Sequence, residues 1–251
     1  MPFWKKAQNW SIRTWSTARN EIAGDRLRRY RIWLFQGFIS IILIAFSVLA
    51  LFASLSDYFP FDVELTQELQ REVPPGMGVI LAGVSWFGYA AQSILTVSTA
   101  AIILSLLGLR WEAVAVIFAG VVAAALNYLI KIAIRRPRPS SDLVDVIETL
   151  SSYSFPSGHV MFYTTFFGFL LFLAFVLLKN SFRRDMLLIL LAIPVFTVGL
   201  SRVYLGEHWT SDVIGGYLLG SLTLILTILF YRWGKSRWSR GQPVAPPGDD
   251  L

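Results

Sequence analysis

The sequence predicts an all-α integral membrane protein, a bundle of six transmembrane helices preceded by an N-terminal interfacial helix. Three observations predict it. Of 251 residues, 55% are hydrophobic and 15% charged, with a mean hydropathy of +0.58, far more apolar than a domain that covers its surface against water. Uncharged windows recur at the length of a bilayer crossing. The 22 Lys and Arg residues gather mostly in alternate connections between those windows, as the positive-inside rule requires.

Residues 1–31 carry Trp4, Trp10 and Trp15 among basic residues, the pattern of a helix lying on the cytoplasmic leaflet. A solvated basic tail that only sets topology fits the same residues. The first apolar run, 32–56, starts too far in and is too long for a cleavable signal peptide, so it is expected to remain as the first span. The window 73–109 exceeds one crossing; its Pro74-Pro75-Gly76 start is expected outside the hydrocarbon and the span at 88–109. The remaining spans are 113–130, 160–178, 186–201 (the shortest, containing Pro194) and 213–231. Residues 32–232 thus read as one domain, and 233–251, ending "GQPVAPPGDDL", as a cytoplasmic tail too polar and Pro/Gly-rich to fold. The absence of cysteine excludes a disulfide framework, a thiolate metal site and a Cys nucleophile.

With the N-terminus inside, 16 of the 22 basic residues lie on the cytoplasmic side and ten of the 16 acidic residues lie outside. The net charge of +6 is then an orientation signal and an attraction to anionic headgroups, not a nucleic-acid footprint. Neither a nucleic acid nor an obligate protein partner is expected; the partners are the bilayer and a substrate drawn from it. The six basic residues left outside are Arg71, Lys131, Arg135, Arg136, Arg138 and Arg202. All but Arg71 belong to or border two connections, which calls for a reason other than topology.

Those connections are "KIAIRRPRPSSDLVDVIETLSSYSFPSGH", from Lys131, and "SRVYLGEHWTSD", from Ser201. Six alternating spans bring both to the extracytoplasmic face. Lys131, Arg138 and Arg202 supply cationic donors, Ser157 a hydroxyl, and Gly158 a close backbone approach, a set suited to a tetrahedral anion such as phosphate. His208 and Asp212 are four apart; on a helix they share a face, so the carboxylate can hold one ring nitrogen and leave the other free to attack. His159 is then available as general acid. Arg135 and Arg136 read more naturally as side chains snorkelling to headgroups. Taken singly, each feature has a plainer reading: a membrane histidine as a packing residue, "PSG" as a turn, Asp212 as a helix N-terminal charge and Ser211 as a cap. None of these explains why both histidines of the chain and five of the six outside basic residues meet on one face.

The residues resemble the type 2 phosphatidic acid phosphatase superfamily of membrane lipid phosphatases, whose three motifs read here as Lys131 to Arg138-Pro139, Pro156-Ser157-Gly158-His159, and Ser201-Arg202 with His208 and Asp212. The resemblance implies His208 as a nucleophile forming a phosphohistidine, Asp212 as its orienting partner and His159 as the acid on the leaving oxygen. It likewise implies Lys131, Arg138, Ser157, Gly158 and Arg202 as the phosphate-binding set. "RRPRP" holds two Arg-Pro pairs; the spacing selects Arg138, with Arg136 an auxiliary contact. No metal and no cofactor are expected, since three cations can neutralise the equatorial oxygens. Size and plan look most like the bacterial phosphatidylglycerophosphate phosphatase B group, which implies phosphatidylglycerophosphate, phosphatidic acid or undecaprenyl diphosphate as substrate. A lipid phosphotransferase, a vanadium-dependent haloperoxidase sharing the motifs, and a lipid-binding or transport protein with a relict pocket are the rival readings.

Overall fold

A computed structural model describes the backbone of residues 3–238 and the side chains of residues 27–74 and 76–237. Its helices are α1 (Phe3–Leu55), α2 (Pro60–Glu72), α3 (Pro75–Ser85), α4 (Ala90–Leu106), α5 (Arg110–Ile134), α6 (Gly158–Leu177), α7 (Phe182–Tyr204) and α8 (Thr210–Trp238), with a 3-10 turn at Trp86–Gly88. No strand occurs among the described residues. The chain forms two compact units, Met1–Ile44 and Ala45–Leu251. The first is the leading part of α1; the side chains of residues 1–26, most of the segment read as interfacial, lie outside the described residues. So does the tail from residue 239, whereas α8 continues to Trp238.

Five described helices are long and apolar enough to cross a membrane: Leu27–Leu55, Arg110–Ile134, Gly158–Leu177, Phe182–Tyr204 and Thr210–Arg237. A sixth crossing is made only if Gly76–Gly88 and Ala90–Leu106, bent by 65° against each other, count as one span. This corrects the expectation of a span confined to 88–109, because residues 75–85 are helical too. Breaking a helix strands carbonyls that lipid cannot satisfy. Here Leu81 O accepts from Ser201 Oγ at 2.5 Å and Val84 O from Tyr163 Oη. Ser85 Oγ meets Ser201 Oγ at 2.6 Å, so the break is fastened to α7 and α6. The Pro194 window fills out to the 23 residues of α7, capped by the Ser181 side chain, which accepts from Arg184 N at 3.3 Å.

Within the second unit α6 is the central helix, packed by α5, α7 and α8. It is apolar on nearly all sides, as a buried helix must be. Phe162, Tyr163, Phe166 and Phe169 form its core with Val116 of α5, Val198 of α7 and Val213 of α8. The Phe162 and Phe166 rings stack at 5.1 Å. Gly216 and Gly220 let α8 approach closely: a Cβ at Gly216 would come within 2.9 Å of Ser157 O, and one at Gly220 within 3.2 Å of the Met161 backbone. At the opposite end of α8, Tyr231 Oη (2.9 Å) and Lys235 Nζ (2.6 Å) donate to buried Glu112 at the start of α5.

The α2 helix was not legible as an element. Its start is set by Pro60 and by the Asp62 carboxylate, which accepts from Phe59 N at 3.1 Å. Its Gln67 donates to Leu143 O (2.8 Å), and Gln70 to Asp145 O (2.7 Å) and Tyr204 O (2.9 Å). These bonds hold the long α5–α6 connection in place.

Candidate active site

The C-terminal ends of α5 and α7 and the N-terminal ends of α6 and α8 meet at one end of the second unit, where Asn127 bonds Pro156 O, Ser157 N bonds Asp212 O and His208 N bonds Arg202 O. That end receives Lys131, Arg138, Ser157, Gly158, His159, Arg202, His208 and Asp212 together. Lys131 Nζ donates to Tyr153 O and to Ser154 O (3.2 Å). Arg138 donates to Ser152 O (2.7 Å), Ser152 Oγ (2.9 Å) and Glu207 O (2.5 Å), and its Nη1 lies 3.2 Å from His208 Nε2. Arg202, fully buried, pairs with Glu207 and lies 5.6 Å over the Tyr89 ring. Tyr89 in turn meets the His159 ring edge-on at 4.9 Å and donates to Glu148 Oε2 at 3.0 Å.

Ser157 and Gly158 open α6. Ser157 N donates to Asp212 O at 3.0 Å, and a Cβ at Gly158 would stand 2.9 Å from Asn127 Oδ1. The N-terminus of a 20-residue helix therefore lies at the same end of the unit as the cations, and a helix N-terminus favours anions. Ser157 Oγ, His159 Nε2 and the Nε and Nη1 of Arg202 are buried with no hydrogen-bond partner among the described residues. Four unmatched polar atoms beside this cluster of cations are donors and acceptors open to a ligand.

The His208–Asp212 pair differs from expectation. α8 begins at Thr210, so His208 precedes the helix and the two do not share a helix face. Asp212 sits at the third helical position and accepts from Trp209 N at 2.9 Å, half of a capping box. This draws its Oδ2 to 3.6 Å from His208 Nδ1, with Ser154 Oγ 3.4 Å from that nitrogen and bonded to the carboxylate. His208 Nε2 is thereby turned to Arg138 and the pocket. Burial, reinforced by the charges of Arg138, Lys131 and Arg202, holds the His208 imidazole well below its ordinary 6.5. Its ring is neutral at pH 7, with a lone pair to offer. Burial also lowers Arg138, opposed by Asp212, to about 10, which leaves it charged.

Arg136 overturns the snorkelling reading. Arg135 ends α5 in the left-handed conformation (φ 56°), with its N–H bonded to Lys131 O, and Pro137 keeps Arg136 out of the helical region. The side chain consequently turns inward and is 1% exposed. Its guanidinium donates to Asp212 Oδ1 (2.7 Å), Ser211 Oγ (2.6 Å), Asp62 Oδ2 (3.0 Å) and the carbonyls of Ser56 (3.3 Å) and Asp57 (3.1 Å). Arg135, by contrast, stays exposed and bonds Ile132 O at 3.0 Å. Sequence reasoning also passed over Asp62, Tyr89, Asn127, Ser154 and Glu207. The one signal available was Arg136 before a proline, since "RRPRP" cannot continue a helix.

Residues 112–236 match the family model described as the PAP2 superfamily. The chain is similar to phosphatidylglycerophosphatase B of Bacillus subtilis, 38% identical over 105 residues, covering 40% of this chain and 49% of that protein. It thus spans about half the length of that relative. To undecaprenyl-diphosphatase of Sulfolobus acidocaldarius it is 27% identical over 209 residues, 80% of this chain and 92% of that one. Among solved structures it resembles the crystal structure of a transmembrane PAP2-type phosphatidylglycerolphosphate phosphatase from Bacillus subtilis, with a TM-score of 0.64 and 23% identity over 79% of this chain and 98% of that chain. That likeness bears on the fold, and it extends the correspondence beyond the motif-bearing helices. With its apolar helices, its motifs gathered at one end and its match to the family model, this integral membrane protein carries a PAP2 superfamily domain.

Proposed function

We propose that the protein is a metal-independent lipid phosphate phosphatase that removes a terminal phosphate from phosphatidylglycerophosphate, phosphatidic acid or undecaprenyl diphosphate through a phosphohistidine. One observation carries this reading: the neutral His208 ring sets Nε2 3.2 Å from Arg138, within the field of Lys131 and Arg202, at the end of the unit that also holds the unmatched polar atoms. The names of the relatives, a phosphatidylglycerophosphatase and an undecaprenyl-diphosphatase, support the substrate class.

In this mechanism Lys131, Arg138, Arg202, Ser157 and the amides at Gly158 hold the phosphoryl oxygens, where positioning and charge neutralisation supply most of the catalysis. The Nε2 lone pair of His208 forms the N–P bond as the P–O bond to the lipid breaks, and His159 gives its proton to the departing oxygen. Water then attacks phosphorus, passing a proton to His159; the N–P bond breaks, releasing inorganic phosphate and neutral His208. Asp212 balances the imidazolium charge that develops between the two steps. Residues 32–232 would form the phosphatase domain. The distribution of Lys and Arg supports cytoplasmic termini and an extracytoplasmic site.

The test is phosphate release by the purified full-length chain in detergent from these three lipids and a soluble phosphate ester, with and without EDTA. Release should persist in EDTA and vanish in a folded His208→Ala variant. Release that continued in that variant would remove His208 from the nucleophile role, and release abolished by EDTA and restored by Mg²⁺ would reject the metal-independent mechanism.

A further inference from the structure

The α8 end of the site rests on a fully buried polar assembly of which the proposed mechanism uses only Asp212. Arg136 stands between two carboxylates, its Nη1 on Asp212 Oδ1 at 2.7 Å and its Nη2 on Asp62 Oδ2 at 3.0 Å, all three side chains 0% exposed. Asp62 also accepts from Ser211 N (2.8 Å) and Ser211 Oγ (2.8 Å), so it grips the residue next to Asp212 by main chain and side chain at once. It belongs to α2, outside the residues 112–236 matched by the family model. We propose that Asp62 is a positioning residue for phosphoryl transfer: by sharing the charge of Arg136 it leaves Asp212 with negative charge to spend on His208, and by holding Ser211 it fixes that carboxylate's place. The inference rests on the phosphohistidine reading above.

A guanidinium bound to a single buried carboxylate would neutralise it, and a neutralised partner gives the imidazolium little support. With two carboxylates on one guanidinium the trio keeps a net negative charge. That charge faces His208 alone among cations: Lys131 from α5, Arg138 from the α5–α6 connection and Arg202 from α7 all oppose it. His159 of α6 and Glu207, which is paired with Arg202, complete the titratable surroundings of the ring.

The experiment is steady-state phosphate release by full-length Asp62→Asn in detergent, beside wild type and His208→Ala. Outer partners that orient metal ligands typically contribute about tenfold to a hundredfold, a scale suited to a residue that orients a charged partner of the nucleophile. Accordingly kcat should fall by about that factor while KM changes less than about twofold, because the phosphate donors are untouched. The acid limb of kcat/KM should move to lower pH, since the trio has lost negative charge, and Asp62→Glu should recover much of both. Adding Asp62→Asn to an Asp212→Asn background should cost little further. A folded Asp62→Asn with wild-type kcat, or one whose loss only tracks its folded fraction with the pH profile unmoved, overturns the proposal. Should Asp62→Asn not fold, Ser211→Ala loosens the same carboxylate while keeping its charge; it should lower kcat at constant KM, and wild-type kcat there overturns the proposal equally. Phosphate release surviving in His208→Ala would instead bring down the phosphohistidine reading itself, so the two failures are distinguishable.

Discussion

Asp212→Asn isolates the electrostatic part of the proposed mechanism, because asparagine can keep the bond from Trp209 N and the shape of the site while losing the charge. In the structure the carboxylate lies 3.6 Å from His208 Nδ1. Two unit charges at that separation in an effective dielectric of about 20 interact by about 5 kcal/mol, worth about three powers of ten in rate. Arg136, 2.7 Å from the other oxygen, already draws on the same charge. The expected loss in kcat is therefore between about a hundredfold and a thousandfold, with KM little changed since Lys131, Arg138 and Arg202 remain. Two measurements decide it: steady-state phosphate release from phosphatidic acid, and the rate of phosphohistidine appearance under alkaline quench. Thermal unfolding in the same detergent provides the control. A loss of less than tenfold in a variant with an unchanged unfolding midpoint would refute the reasoning, for the carboxylate would then not act on the imidazole.

Arg136→Met strands two buried carboxylates, and removing one partner of a buried pair costs about 3–5 kcal/mol; denaturant unfolding in mixed micelles should register a loss of that size, and a loss below about 1 kcal/mol would contradict the bridging role. Because burial and neighbouring cations hold His208 well below 6.5, and protonation removes the attacking lone pair, kcat/KM should decline toward acid with a midpoint below pH 6.5. A midpoint above that value, after allowance for the substrate's own ionisation, would contradict the neutral-ring assignment. The chain has no cysteine, so a single Ser141→Cys change allows the orientation to be read: an impermeant maleimide should label it in intact cells, and labelling only after lysis would invert the proposed topology.

Lys131, Arg138, Ser157, His159, Arg202, His208 and Asp212 were legible because each is a polar group bordering an apolar run, where it is costly without a purpose, Gly158 because it allows a close backbone approach between two of them, and all because the order of the apolar runs carries their connections to one face. Arg136 was misread for the same reason: next to a headgroup layer, a long cation has a cheap way out, and only the left-handed turn at Arg135 and the following proline send it inward. Asp62 was invisible, since one acidic residue in "PFDVELTQELQRE" looks like any other on a solvated helix until the chain around it is folded.

The sequence by itself determined the class, five of the apolar spans and the cast of chemical groups, because hydropathy, charge and motif spacing are properties of short segments read against a bilayer. The tertiary structure decided which partners those groups take. It bent Gly76–Gly88 by 65° against Ala90–Leu106, set His208 ahead of α8 rather than on it, and joined Asp62 to Arg136 across 74 residues of sequence. Contacts of that kind depend on three-dimensional closure, where the cost of burying a charge is met only by a partner that no local pattern names.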